Sequence, residues 1–388
     1  MSETLRAGII GVGNMGTAHF NTIKGGLVKG LEMTAVCDVN PARLAWAKEQ
    51  KPDVLTFDNA DDLFAAKCCD MIIVATPHYD HPPLVIKGLQ SGHHMMSEKP
   101  AGVYTKAVRE MNEVAAKSDK LFGIMFNQRT FHLFRKMKEL VENGTIGNIK
   151  RTSWLITDWY RPMAYYNSGQ WRATWAGEGG GVLLNQCPHN LDLWQWICGM
   201  PSKVRAFCHE GKWHDIEVED DVTAYVEYPN GATGVFITST ADWPGNNRFE
   251  VLGDMGKMVF DKGQLTVETL DVNLTDFTMS KNGHGFGHPN ATILPFETDG
   301  KSEQHKGVLQ AFTDAILYGS KPIADGSEGI NGLTLSNAMH LSSWLDKTIE
   351  LPLDEELFLS ELNKRRANSR LKVAAEAKVL DTAGTYNV

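Results

Sequence analysis

At 388 residues the chain is longer than one hydrophobic core usually serves, which points to two or three domains. Hydrophobic residues at 42 % and charged residues at 22 % lie near the globular average, and no run approaches the ~20 apolar residues of a membrane span, so disorder and membrane insertion are set aside. The net charge of −9 gives no electrostatic reason to expect nucleic acid or an anionic bilayer, which leaves a small molecule as the expected partner.

The chain starts without a basic leader or a small-residue cleavage site. Leu5 to Ile10 reads as a short buried strand, followed at once by Gly11-Val12-Gly13-Asn14-Met15-Gly16 and a helical stretch through Ile23. A second apolar run, Met33 to Cys37, ends in Asp38, 22 residues after Gly16. In a dinucleotide fold the glycines allow a tight turn and bring the pyrophosphate to the helix N-terminus, while the acid binds the adenosine ribose. The bland alternative is a glycine turn beside a surface aspartate. Helical patterns over 61 to 66, 83 to 90 and 108 to 115 then alternate with apolar strands at Met71 to Ala75, His94 to Met96 and Leu121 to Phe126. This alternation predicts a parallel sheet covered on both faces, ending near residue 127.

Beyond Gly147 the pattern changes to strand-like runs at 149 to 157, 203 to 209, 222 to 228, 232 to 239, 248 to 252, 256 to 260 and 264 to 270, separated by turns such as Pro229-Asn230-Gly231. These predict a largely antiparallel sheet. Helices near 189 to 198, 303 to 318 and 329 to 348 are expected on one of its faces, and the uncovered face predicts oligomerisation. The polar tail after Leu353, with Lys364-Arg365-Arg366, reads as an external arm or simply a solvated charge run. Cysteines at 37, 68, 69, 187, 198 and 208 form no CxxC pair and no zinc-like or disulfide spacing, so a reducing, cytoplasmic setting is expected.

Thr76-Pro77-His78 stands at the carboxyl end of one strand and Glu98-Lys99-Pro100 at the end of the next, where open parallel sheets bind ligands. His78 and His81 are spaced as a metal pair would be, but no third ligand is near, and no metal is expected. Further on, Gly177 to Asp192 holds a glycine triplet, 179 to 181, and then Asn185 and His189, four apart and on one face if a helix has begun by Asn185. Pro188 is tolerable there only in the first turn. A histidine can accept a hydroxyl proton while hydride leaves the same carbon, although a buried histidine is as readily structural. From 154 to 175 the chain concentrates Trp154, Trp159, Tyr160, Tyr165, Tyr166, Trp171 and Trp175 with Arg161 and Arg172. Aromatic faces and guanidinium donors suit a sugar, and the same residues also suit a core or a subunit interface.

The glycine fingerprint, Glu98-Lys99-Pro100, the glycine triplet, the helix carrying His189, Asp192 and Trp194, and the stretch Gly329 to Pro352 together resemble the glucose-fructose oxidoreductase, inositol dehydrogenase and MocA family over nearly the whole chain. The resemblance implies a Rossmann domain, an open-faced α/β domain and a pyridine nucleotide. It gives Lys99 contact with the substrate alkoxide and His189 proton transfer. Asn185 departs from the aspartate common in the family's polyol dehydrogenases, and an amide cannot stabilise an imidazolium as a carboxylate would.

The expected fold is therefore α/β: a doubly wound parallel Rossmann sheet over 1–127, an α+β domain with a large open-faced sheet over 128–355, and an arm over 356–388. The expected NAD contacts are Gly11, Gly13, Asn14, Met15, Gly16, Asp38, Arg43, Thr76, Pro77, His78, His81, Glu98, Lys99, Pro100 and Asn127. Lys99, His189 and Asn185 are the expected reacting residues, with Trp159, Arg161, Trp171 and Arg172 on the substrate, a sugar, glycoside or cyclitol. The expected activity is NAD-dependent oxidation of a secondary hydroxyl by a homodimer or homotetramer. A redox-neutral glycosidase or lyase working through transient oxidation, and a non-catalytic sugar sensor, are the alternatives.

Overall fold

The computed structural model describes residues 4–281 and 285–370. The first half alternates β1 (Leu5–Ile10), α1 (Asn14–Lys24), β2 (Leu31–Cys37), α2 (Pro41–Gln50), β3 (Leu55–Phe57), α3 (Ala60–Ala65), β4 (Met71–Val74), α4 (His81–Gln90), β5 (His94–Ser97), α5 (Thr105–Ala115) and β6 (Phe122–Ile124). All six strands run parallel in the order β3-β2-β1-β4-β5-β6. Met71–Val74 is wholly apolar because β4 lies mid-sheet with both faces buried. The order reverses between β1 and β4, so their carboxyl ends open a crevice. The strand and helix pattern had not suggested α2 or β3. The helix buries only Ala47 and so shows little apolar periodicity, although Asn40 caps it and Pro41 opens it.

The second half contains α6 (His132–Glu142), β7 (Ile149–Ile156), α7 (Met163–Tyr166), α8 (Pro188–Cys198), β8 (Lys203–Glu210), β9 (Glu219–Glu227), β10 (Thr233–Ser239), β11 (Asn247–Gly253), β12 (Gly256–Asp261), β13 (Gln264–Leu270), α9 (Leu274–Met279), β14 (Ala291–Ile293), α10 (Gln304–Tyr318), α11 (Gly329–Leu345), β15 (Ile349–Glu350) and α12 (Glu355–Asn368). The sheet order is β14-β13-β12-β11-β7-β10-β9-β8-β15, antiparallel except where β7 meets β10. One register row puts Ala206, Ala224, Phe236, Trp154, Phe249 and Phe260 side by side on the face beneath α6, α8 and α11. Trp154 stacks on Phe249 with ring centroids 4.1 Å apart. Burial of each such side chain contributes roughly 1.5–3 kcal/mol. The adjacent row turns Phe207, Thr223, Ile237, Leu155 and Arg248 to the other face.

Two expectations are corrected. The helix expected over 303 to 318 does not cover this sheet. As α10 it returns to the parallel sheet, where Val308, Leu309 and Phe312 pack with Ala7, Ile9, Phe20 and Met96, and Gln310 hydrogen-bonds both the backbone N–H and the carbonyl of Lys29. Periodicity shows that a helix has an apolar face, but not which sheet receives it. Nor is the tail free from its start: α12 buries Phe358 and Leu362, with Arg109 gripping Glu355 and Lys106 gripping Glu356. The remainder of the expected arm, 371–388, lies outside the described residues.

Candidate active site

The nucleotide cradle follows from the end of β1. Gly11 takes φ +89°, and a Cβ there would lie 2.7 Å from the Ala75 carbonyl oxygen; one on Gly16 would lie 1.9 Å from that of Gly11. Asn14 and Met15 open α1, whose N-cap Gly13 has nothing within 4 Å of the Cβ it lacks, leaving room for a pyrophosphate. Asp38 ends β2 and accepts from the backbone N–H groups of Val12 at 2.7 Å and Asn40 at 2.8 Å, which aims its carboxylate at the glycine turn. Arg43 donates to the Val12 carbonyl and to Thr17 Oγ1, both at 2.7 Å, and lies over Trp46, so it braces the turn. Thr76 Oγ1 and Asn127 Oδ1 are buried without a partner among the described residues. Such atoms cost about 1–3 kcal/mol each unless a ligand satisfies them. Room at Gly13, the carboxylate at Asp38 and these two oxygens fit a dinucleotide.

His78 and His81 serve different ends. His81 faces backbone carbonyls with both nitrogens, Pro100 at 2.7 Å and Thr76 at 2.8 Å, and so ties the turn after β4, Thr76-Pro77-His78, to the turn after β5. His78 contacts the Glu178 carbonyl at 3.2 Å and lies edge-on to Trp171.

The candidate reacting groups gather near the end of β5. Glu98 accepts from the Lys99 backbone N–H at 3.1 Å and pairs with His19 Nε2 at 2.6 Å. Burial alone would raise its pKa, but the His19 hydrogen bond and charge bring it down to about 2. Lys99 Nζ donates to the Asn185 carbonyl at 2.8 Å. His189 lies in the first turn of α8 behind Pro188, 3 % exposed, with neither ring nitrogen hydrogen-bonded among the described residues. Burial first, then the charges of Lys99 and His305, holds its pKa well below the usual histidine value, so the ring is neutral and able to accept a proton. His305, on the first turn of α10, sits with its ring 5.7 Å from that of His19, and burial lowers its pKa to about 4.

Asn185 is not on the helix of His189, because α8 begins at Pro188, as its missing N–H requires. A preceding turn instead brings the Asn185 carbonyl to Lys99, whose charge also acts on His189. That turn is tied down by Glu219, which accepts from the N–H groups of Gly181 and Leu183, and a Cβ on Gly181 would lie 2.0 Å from the Glu219 carbonyl oxygen. The aromatic stretch divides. Trp154 and Trp175 are core, whereas Arg161 and Arg172 both lie over the Tyr165 ring, Arg161 also over Trp159 and Arg172 over Trp171. Glu178, Tyr165, His19 and His305 are partners that the sequence reading gave no role at the reacting centre. His305 arrives by the return of α10, and no local spacing announces it.

Residues 5–126 match the oxidoreductase family with an NAD-binding Rossmann fold, and 134–259 match the GFO/IDH/MocA C-terminal domain. Myo-inositol 2-dehydrogenase of Thermotoga maritima is 26 % identical over 355 residues, covering 89 % of this chain and 98 % of that protein. The WlbA dehydrogenase of Chromobacterium violaceum, solved with NADH and UDP-GlcNAcA, superposes with a TM-score of 0.78 at 25 % identity, covering 91 % of this chain and 97 % of the other. A levoglucosan dehydrogenase solved with NADH shares the fold, with a TM-score of 0.73 at 19 % identity over 90 % of this chain and all of the other, 100 %. With both halves matched and the nucleotide cradle intact, this chain belongs to the Gfo/Idh/MocA family of NAD-binding oxidoreductases.

Proposed function

We propose that the protein is an NAD(H)-dependent dehydrogenase that oxidises a secondary hydroxyl of a sugar, glycoside or cyclitol. The observation that carries this reading is His189: a buried, neutral imidazole whose two nitrogens have no partner among the described residues, near enough to feel the charge of a lysine held by a carbonyl. NAD, when bound, supplies the hydride acceptor. His189 takes the hydroxyl proton, and Lys99 donates to the oxygen as negative charge builds on it. Trp159 and Trp171 offer flat faces to the C–H side of a ring, and Arg161 and Arg172 offer donors to its oxygens. The names of the relatives, an inositol and a levoglucosan dehydrogenase among them, support a polyol.

The test is a panel of sugars, glycosides and inositols with NAD, followed by NADH absorbance. A polyol-dependent rise that disappears in Lys99→Ala and His189→Ala supports the reading. Product without NADH points to the redox-neutral cycle, and saturable binding without turnover points to a sensor.

The reading extends to assembly and setting. The outer face of the second sheet exposes Phe207 (50 %) and Tyr225 (42 %) and is the proposed contact between subunits of a homodimer or homotetramer. Six unpaired cysteines support a reducing, cytoplasmic compartment.

A further inference from the structure

Glu178 is a buried carboxylate that the reaction above does not use. It is 2 % exposed, and both of its oxygens face donors: Oε2 accepts from the Ala173 N–H at 2.5 Å and Oε1 accepts from Asn185 Nδ2. Arg172 Nη1 stands 3.8 Å from Oε1. Burial pushes its pKa up and Glu219 adds to the push, while Arg172 and the donors at Ala173 and Asn185 favour the carboxylate form. The carboxylate also holds the N–H of Ala173, a residue in the left-handed region at φ +55°.

Asn185 links the Glu178 side chain to Lys99, through its amide on one side and its backbone carbonyl on the other. The Tyr165 hydroxyl accepts from Arg172 Nη1 at 2.9 Å and from Gln186 Nε2 at 3.2 Å, so its own proton goes to Asn185 Oδ1 at 3.0 Å. That fixes which way the Asn185 amide points, with its NH2 towards Glu178. The backbone carbonyl of the same residue holds Lys99 Nζ.

We propose that Glu178 is a positioning residue: through the Asn185 amide it fixes the carbonyl that holds Lys99, and its negative charge balances the buried ammonium. The proposal rests on the reading of Lys99 as the cation at the reacting oxygen. The charged and titratable groups facing Lys99 are Glu98, Glu178, Arg161, Arg172, His78, Cys187, His189 and His305. Burial lowers the lysine's pKa, the two glutamates raise it and the two arginines lower it further. Removing the charge of Glu178 therefore makes the ammonium lose its proton at lower pH.

The test uses the full chain with NAD and three variants: Glu178→Gln, Asn185→Asp and the double exchange. In the double variant the amide and the carboxylate trade places, so the Ala173 N–H still meets an oxygen and the contact between the two side chains keeps a donor. Lysine isotopically labelled at Cε reports the Lys99 titration by NMR, with the resonance assigned by its loss in Lys99→Arg. Glu178→Gln is expected to move the midpoint down by about one pH unit and to lower kcat ~10-fold, and the double exchange to restore both. Asn185→Asp alone places two carboxylates in contact and is expected to lose thermal stability. An unmoved Lys99 midpoint in Glu178→Gln, or a double variant no better than that single one, overturns the proposal. A lower Tm with an unmoved midpoint shows a purely structural glutamate. Should the wild-type enzyme oxidise no polyol, the dehydrogenase reading fails, while the NMR titration still decides the link between Glu178 and Lys99.

Discussion

Burial lowers the pKa values of both His189 and Lys99, with opposite consequences for the pH profile. A base acts when deprotonated, so a lowered pKa keeps His189 competent in mildly acidic solution and places the acidic limb of kcat/KM below ~6.5, the usual histidine value. A cation acts when protonated, so the alkaline limb should fall below ~10.4. A pH–rate profile checks both, and an acidic limb well above the usual value would exclude His189 as the base. Replacing Lys99 or His189 by alanine should lower kcat by ~10² or more and leave NAD affinity nearly intact in a direct titration. Asp38, the proposed ribose ligand, is held against the glycine turn by Val12 N–H, while Arg43 is occupied by Val12 and Thr17. Asp38→Ala should weaken NAD binding and narrow the preference over NADP; wild-type protein binding NADP as tightly as NAD would overturn that assignment.

Elements with strong periodicity were legible in the sequence, and those built on few contacts were not. The runs that became β7 and β10 alternate buried with part-buried residues because one face is covered, and their ends, like those of β8 and β13, differ from expectation by no more than one residue. By contrast α9 buries no residue and β14 lies exposed, so neither left a pattern to find. The site was legible where a motif fixes the backbone, at the glycine turn, Glu98-Lys99-Pro100 and His189. It was illegible where a side chain is recruited from far away in sequence or acts through a neighbour, as with His305 and Glu178. The aromatic stretch is the intermediate case, since composition placed seven aromatic residues in one segment but could not sort them. The sorting is testable: Trp154→Ala should cost about 3–5 kcal/mol in chemical denaturation and leave KM alone. Trp171→Ala should weaken substrate binding by about 1–3 kcal/mol, seen as a raised KM at nearly unchanged stability. A reversed pattern would make Trp171 the structural residue of the two.

For the molecule as a whole, the outer face of the nine-stranded sheet predicts association. Sedimentation at micromolar concentration should show a dimer or larger species, and Phe207→Asp with Tyr225→Asp should shift it towards monomer while NAD still binds; a wild-type monomer would remove that face from assembly. The return of α10 has a mechanical consequence. The chain passes between the two sheets near 127–131 and again on either side of α10, and the last passage is stapled where Asp325 bridges Gly123 and where Arg129 joins Asp192 and Glu328. One linker makes a hinge, but three tethers at separate points cancel most of the rotations a hinge allows. Rotating one sheet against the other would therefore strain several connections at once instead of bending a single linker.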